Sequence, residues 1–122
     1  MQERQISLDH SIHTLSVIEV VGVDVSRHAV DTINAGKVHI EEGNLDELVE
    51  RCVRAGTLRA VHEAVEADVF IIAVPTPVGH DADHKPDVSY VQAAGQSIAP
   101  VLKKGNLVIL ESTSPVGTTD ML

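Results

Sequence analysis

The chain is 122 residues long, enough for one domain with a modest core, and its 43% hydrophobic and 22% charged residues exclude a disordered polymer. Eighteen acidic against nine basic residues give a net charge of −9, which opposes nucleic-acid binding, and a single cysteine, Cys52, excludes an internal disulfide framework. No apolar run is long enough to span a bilayer and no signal-peptide pattern opens the chain, so no membrane partner and a cytoplasmic location are expected.

Residues 1–14 mix polar and charged groups without a sustained period and are expected to be poorly ordered. Leu15 to Val25, rich in Val and Ile, predicts a strand ending at Gly22-Val23-Asp24. Ser26 offers an N-cap, Ala29, Val30 and Ile33 recur at helical spacing, and Gly36 stops the helix. Gly43-Asn44 opens a second helix, Leu45 to Ala55, with Leu45, Leu48, Val49, Cys52 and Val53 on one stripe. Leu58 to Val61 reads as a minor strand or a turn, and His62 to Ala67 as one helical turn. Asp68 to Val74 is an uninterrupted apolar run, the pattern of a strand buried on both faces in a parallel sheet. A loop follows over residues 75–87. A helix is then predicted from Val88 to Lys103, with Asp87 as its cap and Pro100 disturbing its last turn. Gly105-Asn106 turns into a second apolar strand from Leu107, and another helix is expected to begin at Thr118 or Thr119. With Tyr90 and Phe70 as the only Tyr and Phe and no Trp, the core must be built from Val, Ile, Leu and Ala. Alternation of strands and helices predicts an α/β, doubly wound parallel sheet.

In such sheets ligands bind beyond the carboxyl ends of the strands, and three places there could carry chemistry. Asp24 follows a strand and precedes a helix, where a carboxylate can accept both ribose hydroxyls of a dinucleotide and repel a 2′-phosphate; it could equally be an Asp that favours the turn. Thr76, held between Pro75 and Pro77, fixes a hydroxyl after the first apolar strand, or merely ends it. Ser112, Thr113, Thr118 and Thr119 flank a Pro and a Gly before a helix start, a pattern that suits either an anion site or an ordinary cap. His80, Asp81, Asp83 and His84 match no zinc signature and read as a solvated loop, so no metal is expected. Cys52 reads as a core residue on its helix stripe. No Ser-His-Asp arrangement and no GxxxxGK loop occurs in the sequence.

Taken together, VGVDVSRHAVDTINAGKVHI, DVFIIAVPTPVGHDADHKPDVSYV and SIAPVLKKGNLVILESTSPVGTT resemble the N-terminal NAD-binding domain of the UDP-glucose/GDP-mannose dehydrogenase family. The likeness covers about residues 16–122 and is nearest to the branch acting on UDP-N-acetylmannosamine, chiefly through APVLKKGNLVILESTSPVGTT. It implies a Rossmann-like fold and NAD as cofactor. Asp24 matches the family's acid on the adenosine ribose, Thr76 the Thr of its VPTP loop, and Thr119 a further hydroxyl on NAD. Thr113 matches the Thr of the same loop that faces the active site. The implied activity is oxidation of a nucleotide-sugar C6 alcohol to the carboxylate in two NAD-dependent steps through a cysteine thiohemiacetal, in a homo-oligomeric enzyme of polysaccharide biosynthesis.

The departures from the family pattern shape the remaining expectations. Members begin with a strand and a GxGYxGLP turn that cradles the pyrophosphate, whereas no glycine precedes Gly22 here, so a sheet lacking that first strand and turn is expected. Five positions after Asp24 stands Ala29, where basic members place Lys or Arg. The family's catalytic Lys, Asn, Cys and Asp match nothing in the chain, and Cys52 on an early helix is not that nucleophile. The expectation is a partial NAD-binding domain over residues 15–122, with no catalytic residue and no activity by itself. The alternative is a non-catalytic assembly module that pairs with a separate dehydrogenase chain through the sheet edge left open by the missing strand.

Overall fold

The computed structural model describes residues 2–8, 15–39, 42–78 and 86–122. A five-stranded sheet is built from β1 (Gln2–Leu8), β2 (Leu15–Val23), β3 (Leu58–Val61), β4 (Val69–Ile72) and β5 (Leu107–Leu110), in the order β3-β2-β1-β4-β5. Among the described residues three α-helices accompany it: α1 (Arg27–Asn34), α2 (Leu45–Arg54) and α3 (Ser89–Ile98). β2 and β3 run parallel, with Val20 opposite Leu58 and Val23 opposite Val61. β4 and β5 also run parallel, with Val69 opposite Leu107 and Ile72 opposite Leu110. β1 lies between these two pairs and is antiparallel to both neighbours.

Two expectations are corrected here. Residues 2–8, read as poorly ordered, form a strand that pairs along its whole length with β2, from Gln2 opposite Val21 to Leu8 opposite Leu15. Gln2, Glu3, Arg4 and Gln5 carry no apolar period, and the strand exists because β2 offers a ladder, a context that propensity does not contain. The central edge expected to stand open is therefore filled, and the sheet ends instead at β3 and β5. Residues 9–14 lie outside the described residues. The second correction concerns His62 to Ala67, which is not a helical turn but an irregular connection.

Elsewhere the local signals are realised. Ser26 caps α1, its Oγ accepting from the Ala29 N–H at 3.3 Å. Gly36, at φ +73°, closes the same helix in the left-handed region, its N–H donating to the Ile33 carbonyl while the Lys37 N–H donates to that of Thr32. A side chain at Gly36 would also meet the Glu50 backbone at 3.2 Å, so glycine serves both the turn and the approach of α2. α2 starts after Asn44, itself at φ 67°, and carries Asp46 and Glu47 in its first turn and Arg51 and Arg54 in its last, as the helix dipole favours. Its stripe is narrower than expected, with Val49 buried, Cys52 half-buried and Leu48 exposed. Leu58 to Val61 resolves as a strand. α3 stops at Ile98 and gives way to a 3-10 turn, Ala99–Val101, around Pro100, which has no N–H to continue the ladder. The helix expected from Thr118 or Thr119 is a 3-10 turn, Thr119–Met121.

α1 and α2 pack against β3, and α3 against β4. The core among the described residues is small and aliphatic with one aromatic: Val21, Val30, Val49, Ala60, Ile72 and Val91 are buried, as is Phe70, which is 2% exposed. Among the described residues no helix is long and apolar enough to cross a membrane.

Candidate cofactor-binding site

Because β2, β3, β4 and β5 share one direction, their carboxyl ends meet along one edge of the sheet. Asp24 leaves the end of β2 there, with its N–H donating to the Val61 carbonyl at 3.1 Å. Its Oδ1 accepts from the Ser26 N–H at 2.8 Å, forming a turn closed by the carboxylate itself. The His62 ring, just past β3, sits 3.3 Å from the Asp24 carbonyl through Nδ1. The Asp24 residue is exposed, so the carboxylate is held in a set direction while open to a ligand.

Beneath Asp24 a cleft of about 420 Å³ runs between the sheet and α1 and α2. Its walls are Gly22, Val23, Ala29, Val30, Ile33, Val38, Leu45, Val49, Leu58, Ala60 and Ala73, with Asp24 and His39 at polar positions. An apolar cleft with one fixed carboxylate suits a planar ring bearing a vicinal diol. His28 and His39 stand with ring centroids 4.9 Å apart beside it.

The β4 and β5 ends are tied together by hydroxyls. Ser112 Oγ accepts from the Val74 N–H at 2.8 Å and reaches the Ile72 carbonyl at 3.4 Å. Thr76 donates its Oγ1 hydrogen to the Thr113 carbonyl at 2.5 Å, which joins the two loops in one rim. Thr118, 2% exposed, donates its hydroxyl hydrogen to the Pro115 carbonyl at 2.7 Å and serves the turn rather than a ligand. Thr119 begins the last 3-10 turn and lines a separate cavity of about 210 Å³ with Ile72, Ile98, Leu110 and Leu122, under α3.

Thr76 and Thr113 are thus joined, while Asp24 and Thr119 make hydrogen bonds to neither of them among the described residues. His80, Asp81, Asp83 and His84 lie outside the described residues. Cys52 is half-buried, and its carbonyl accepts from both the Thr57 N–H and the Thr57 hydroxyl. Sequence reasoning missed His62 as a neighbour of Asp24, and it missed Asn34. The Asn34 side chain donates to the Ala60 carbonyl at 2.9 Å and accepts from the Ala60 N–H at 2.8 Å, clamping β3 beneath the cleft. No local signal points to either, because both partners are 26 or more residues away.

These residues fit the adenosine ribose end of NAD: a directed carboxylate stands over an apolar cleft. For the pyrophosphate the fit differs. β1 runs against its neighbours, so among the described residues no strand-to-helix turn from the central strand reaches this edge, and no backbone amides from such a turn are offered there.

The profile of the UDP-glucose/GDP-mannose dehydrogenase family, NAD binding domain, matches residues 10–122. The chain is 59% identical over 104 residues to the UDP-N-acetyl-D-mannosamine dehydrogenase of Salmonella typhi, covering 85% of this chain and 24% of that protein. It is likewise 59% identical over 105 residues to the NDP-N-acetyl-D-galactosaminuronic acid dehydrogenase of Ralstonia nicotianae, with 85% and 24% covered. The chain therefore spans about a quarter of the length of the curated relatives it matches. Among solved structures, the UDP-N-acetyl-mannosamine dehydrogenase Cap5O of Staphylococcus aureus superposes with a TM-score of 0.80 at 42% identity, over 84% of this chain and 25% of that one. A GDP-mannose dehydrogenase from Pseudomonas aeruginosa gives 0.75 at 29%, over 84% and 24%. The sheet is Rossmann-like, its cofactor is NAD, and the chain belongs to the UDP-glucose/GDP-mannose dehydrogenase family through that family's NAD-binding domain.

Proposed function

We propose that this chain is the cofactor-binding part of a cytoplasmic, homo-oligomeric nucleotide-sugar dehydrogenase of the kind that oxidises the C6 alcohol of UDP-N-acetylmannosamine to the carboxylate. The relatives named for that substrate support the sugar. NAD, when bound, supplies the hydride acceptor; the chain's own part is to hold and orient it. Asp24 accepts the hydroxyls of the adenosine ribose and disfavours a 2′-phosphate by charge. Thr76 and Thr113, joined in one rim, present their loops to the cofactor, and Thr119 adds a further hydroxyl. By itself the chain binds and does not turn over, because none of these residues supplies a covalent nucleophile for the sugar.

The observation that carries this reading is the exposed Asp24 carboxylate, aimed by the Ser26 N–H at the mouth of the apolar cleft. Calorimetric titration of the purified chain with NAD, with NADP and with the Asp24→Ala variant tests it. NAD should bind, NADP should bind more weakly, and the substitution should reduce NAD affinity about tenfold or more, the loss of a charge-assisted hydrogen bond. Equal binding of NAD by the variant would sink the assignment of Asp24. Formation of NADH from UDP-N-acetylmannosamine by the isolated chain would sink the claim that it does not turn over.

A further inference from the structure

The sequence supplies few rings on which a nucleotide base could stack: one Tyr, one Phe and no Trp. Phe70 is 2% exposed and lines a different cavity, with Ala94 and Ile98 of α3. Tyr90 also belongs to α3, whereas the cleft beneath Asp24 lies between the sheet and α1 and α2. Among the described residues, the one ring that borders this cleft is the imidazole of His39.

Its position is set by the end of α1. Gly36 turns the backbone out of the helix at φ +73°, and the segment after it brings His39 beside His28, in the first turn of α1. The two ring centroids are 4.9 Å apart with their planes tilted by 48°, inside the range of about 4.5–7 Å that aromatic pairs prefer. Both residues are exposed, so core burial does not account for the pair. His28 is not among the walls of the cleft, so it meets the His39 ring and not the space a ligand would fill.

Asp24 lines the same cleft, its carboxylate fixed by the Ser26 N–H. The volume of about 420 Å³ falls within the range of about 300–1,000 Å³ of small-molecule sites, and walls such as Val23, Ile33, Val38 and Leu58 are apolar. One recess thus offers an apolar surface, a ring and a carboxylate to a flat base joined to a ribose. Adenine carries no charge, so the net charge of −9 does not oppose its entry.

We infer that His39 is the stacking residue for the adenine base and that His28 is the positioning residue that holds its ring. The inference rests on the reading of the cleft as the adenosine end of the cofactor site. A purine covers more of an imidazole face than a pyrimidine does, so the pair favours an adenosine ligand over a uridine one in this recess. That preference separates the cofactor from a uridine nucleotide by the base alone, since both carry the ribose diol that Asp24 accepts.

The probes are 5′-AMP and 5′-UMP, which share ribose and phosphate and differ in the base. NMR titration of the wild-type chain should give AMP an affinity about tenfold above that of UMP, the scale of one base stacked on a ring. In H39A the ratio should fall to about twofold or less, and H39F, which keeps a ring, should restore it. AMP should move the His39 ring protons upfield, and these signals are identified by their absence from the H39F spectrum. H28A should shrink that movement while leaving the melting temperature unchanged, which separates positioning from stability. D24A should weaken both nucleotides by the same factor and preserve the ratio. If D24A binds both as the wild type does, the ribose assignment of Asp24 fails while a preserved ratio still supports His39. Should H39A fail to fold, the ring shifts of the wild type decide alone. Equal affinity of the wild type for AMP and UMP, a full preference in H39A, no preference in H39F, or His39 ring signals that AMP leaves in place would each overturn the inference.

Discussion

In the proposed reading Asp24 joins two roles that the sequence left as alternatives. The turn does not compete with the proposed ribose contact: Oδ1 closes the turn on the Ser26 N–H, and that bond fixes the direction of an exposed carboxylate. Asp24→Asn should therefore keep the turn and the melting temperature while losing the preference for NAD over NADP, as paired titrations with the two dinucleotides would show. Asp87 is a second carboxylate with a backbone duty. The Ser89 hydroxyl foremost, and the Ser89 N–H at 2.9 Å, hold its carboxyl below the ordinary value of 3.8, opposed by a small effect of burial. A lowered folded value means that Asp87 stabilises α3 above the unfolded carboxylate range and stops doing so as pH falls through the lowered value. Asp87→Ala should melt below the wild type at pH 7, and the two curves should converge as the acid is protonated, which thermal scans from pH 7 to pH 2.5 (roughly the span of the carboxylate titration) would register. Capping by Ser26 was legible in sequence because its partner lies three residues away, whereas the N-cap of α3 is Val88 and Asp87, expected as the cap, stands one residue before it and accepts from the Ser89 N–H. The Thr76–Thr113 bond spans 37 residues and was not legible.

At the scale of elements, the edges and seams of the sheet decide the outcome. β3 is an edge strand only four residues long, and its outward N–H and C=O at Ala60 are both taken by the Asn34 amide. Asn34 therefore stands in for a missing neighbour strand and blunts the edge. Replacing it by Ala removes two part-buried hydrogen bonds and leaves Ala60 unpaired, at a cost of about 1–3 kcal/mol that urea denaturation should register. The cleft lies against β3, so the same substitution should also weaken NAD binding. The helices α1 and α2 could be read from periodicity and punctuation, since a helix satisfies its own backbone. β1 could not, because a polar strand is defined by its partner and not by its own residues.

The whole molecule rests on a small core with a single large member. Phe70 lies on β4, opposite Gln2 of β1, and lines a smaller, distinct cavity with Val23, Ile72, Ala94 and Ile98. Phe70→Ala should cost about 3–5 kcal/mol, a large part of the roughly 5–15 kcal/mol typical of a folded domain, and should leave much of the chain unfolded by circular dichroism at 37 °C. The sequence by itself determined the strands β2, β4 and β5, the helices α1, α2 and α3, and the placement of Asp24, Thr76 and Thr113 after apolar strands, while it left Leu58 to Val61 between a strand and a turn. Those features follow from hydrophobic period, caps and breakers, which act over a few residues. Tertiary structure alone decided what fills the centre of the sheet, which direction it runs, and which hydroxyls meet. Pairing between distant segments depends on the ladder a neighbour presents, and no local pattern in Gln2–Leu8 records that β2 and β4 would stand on either side of it.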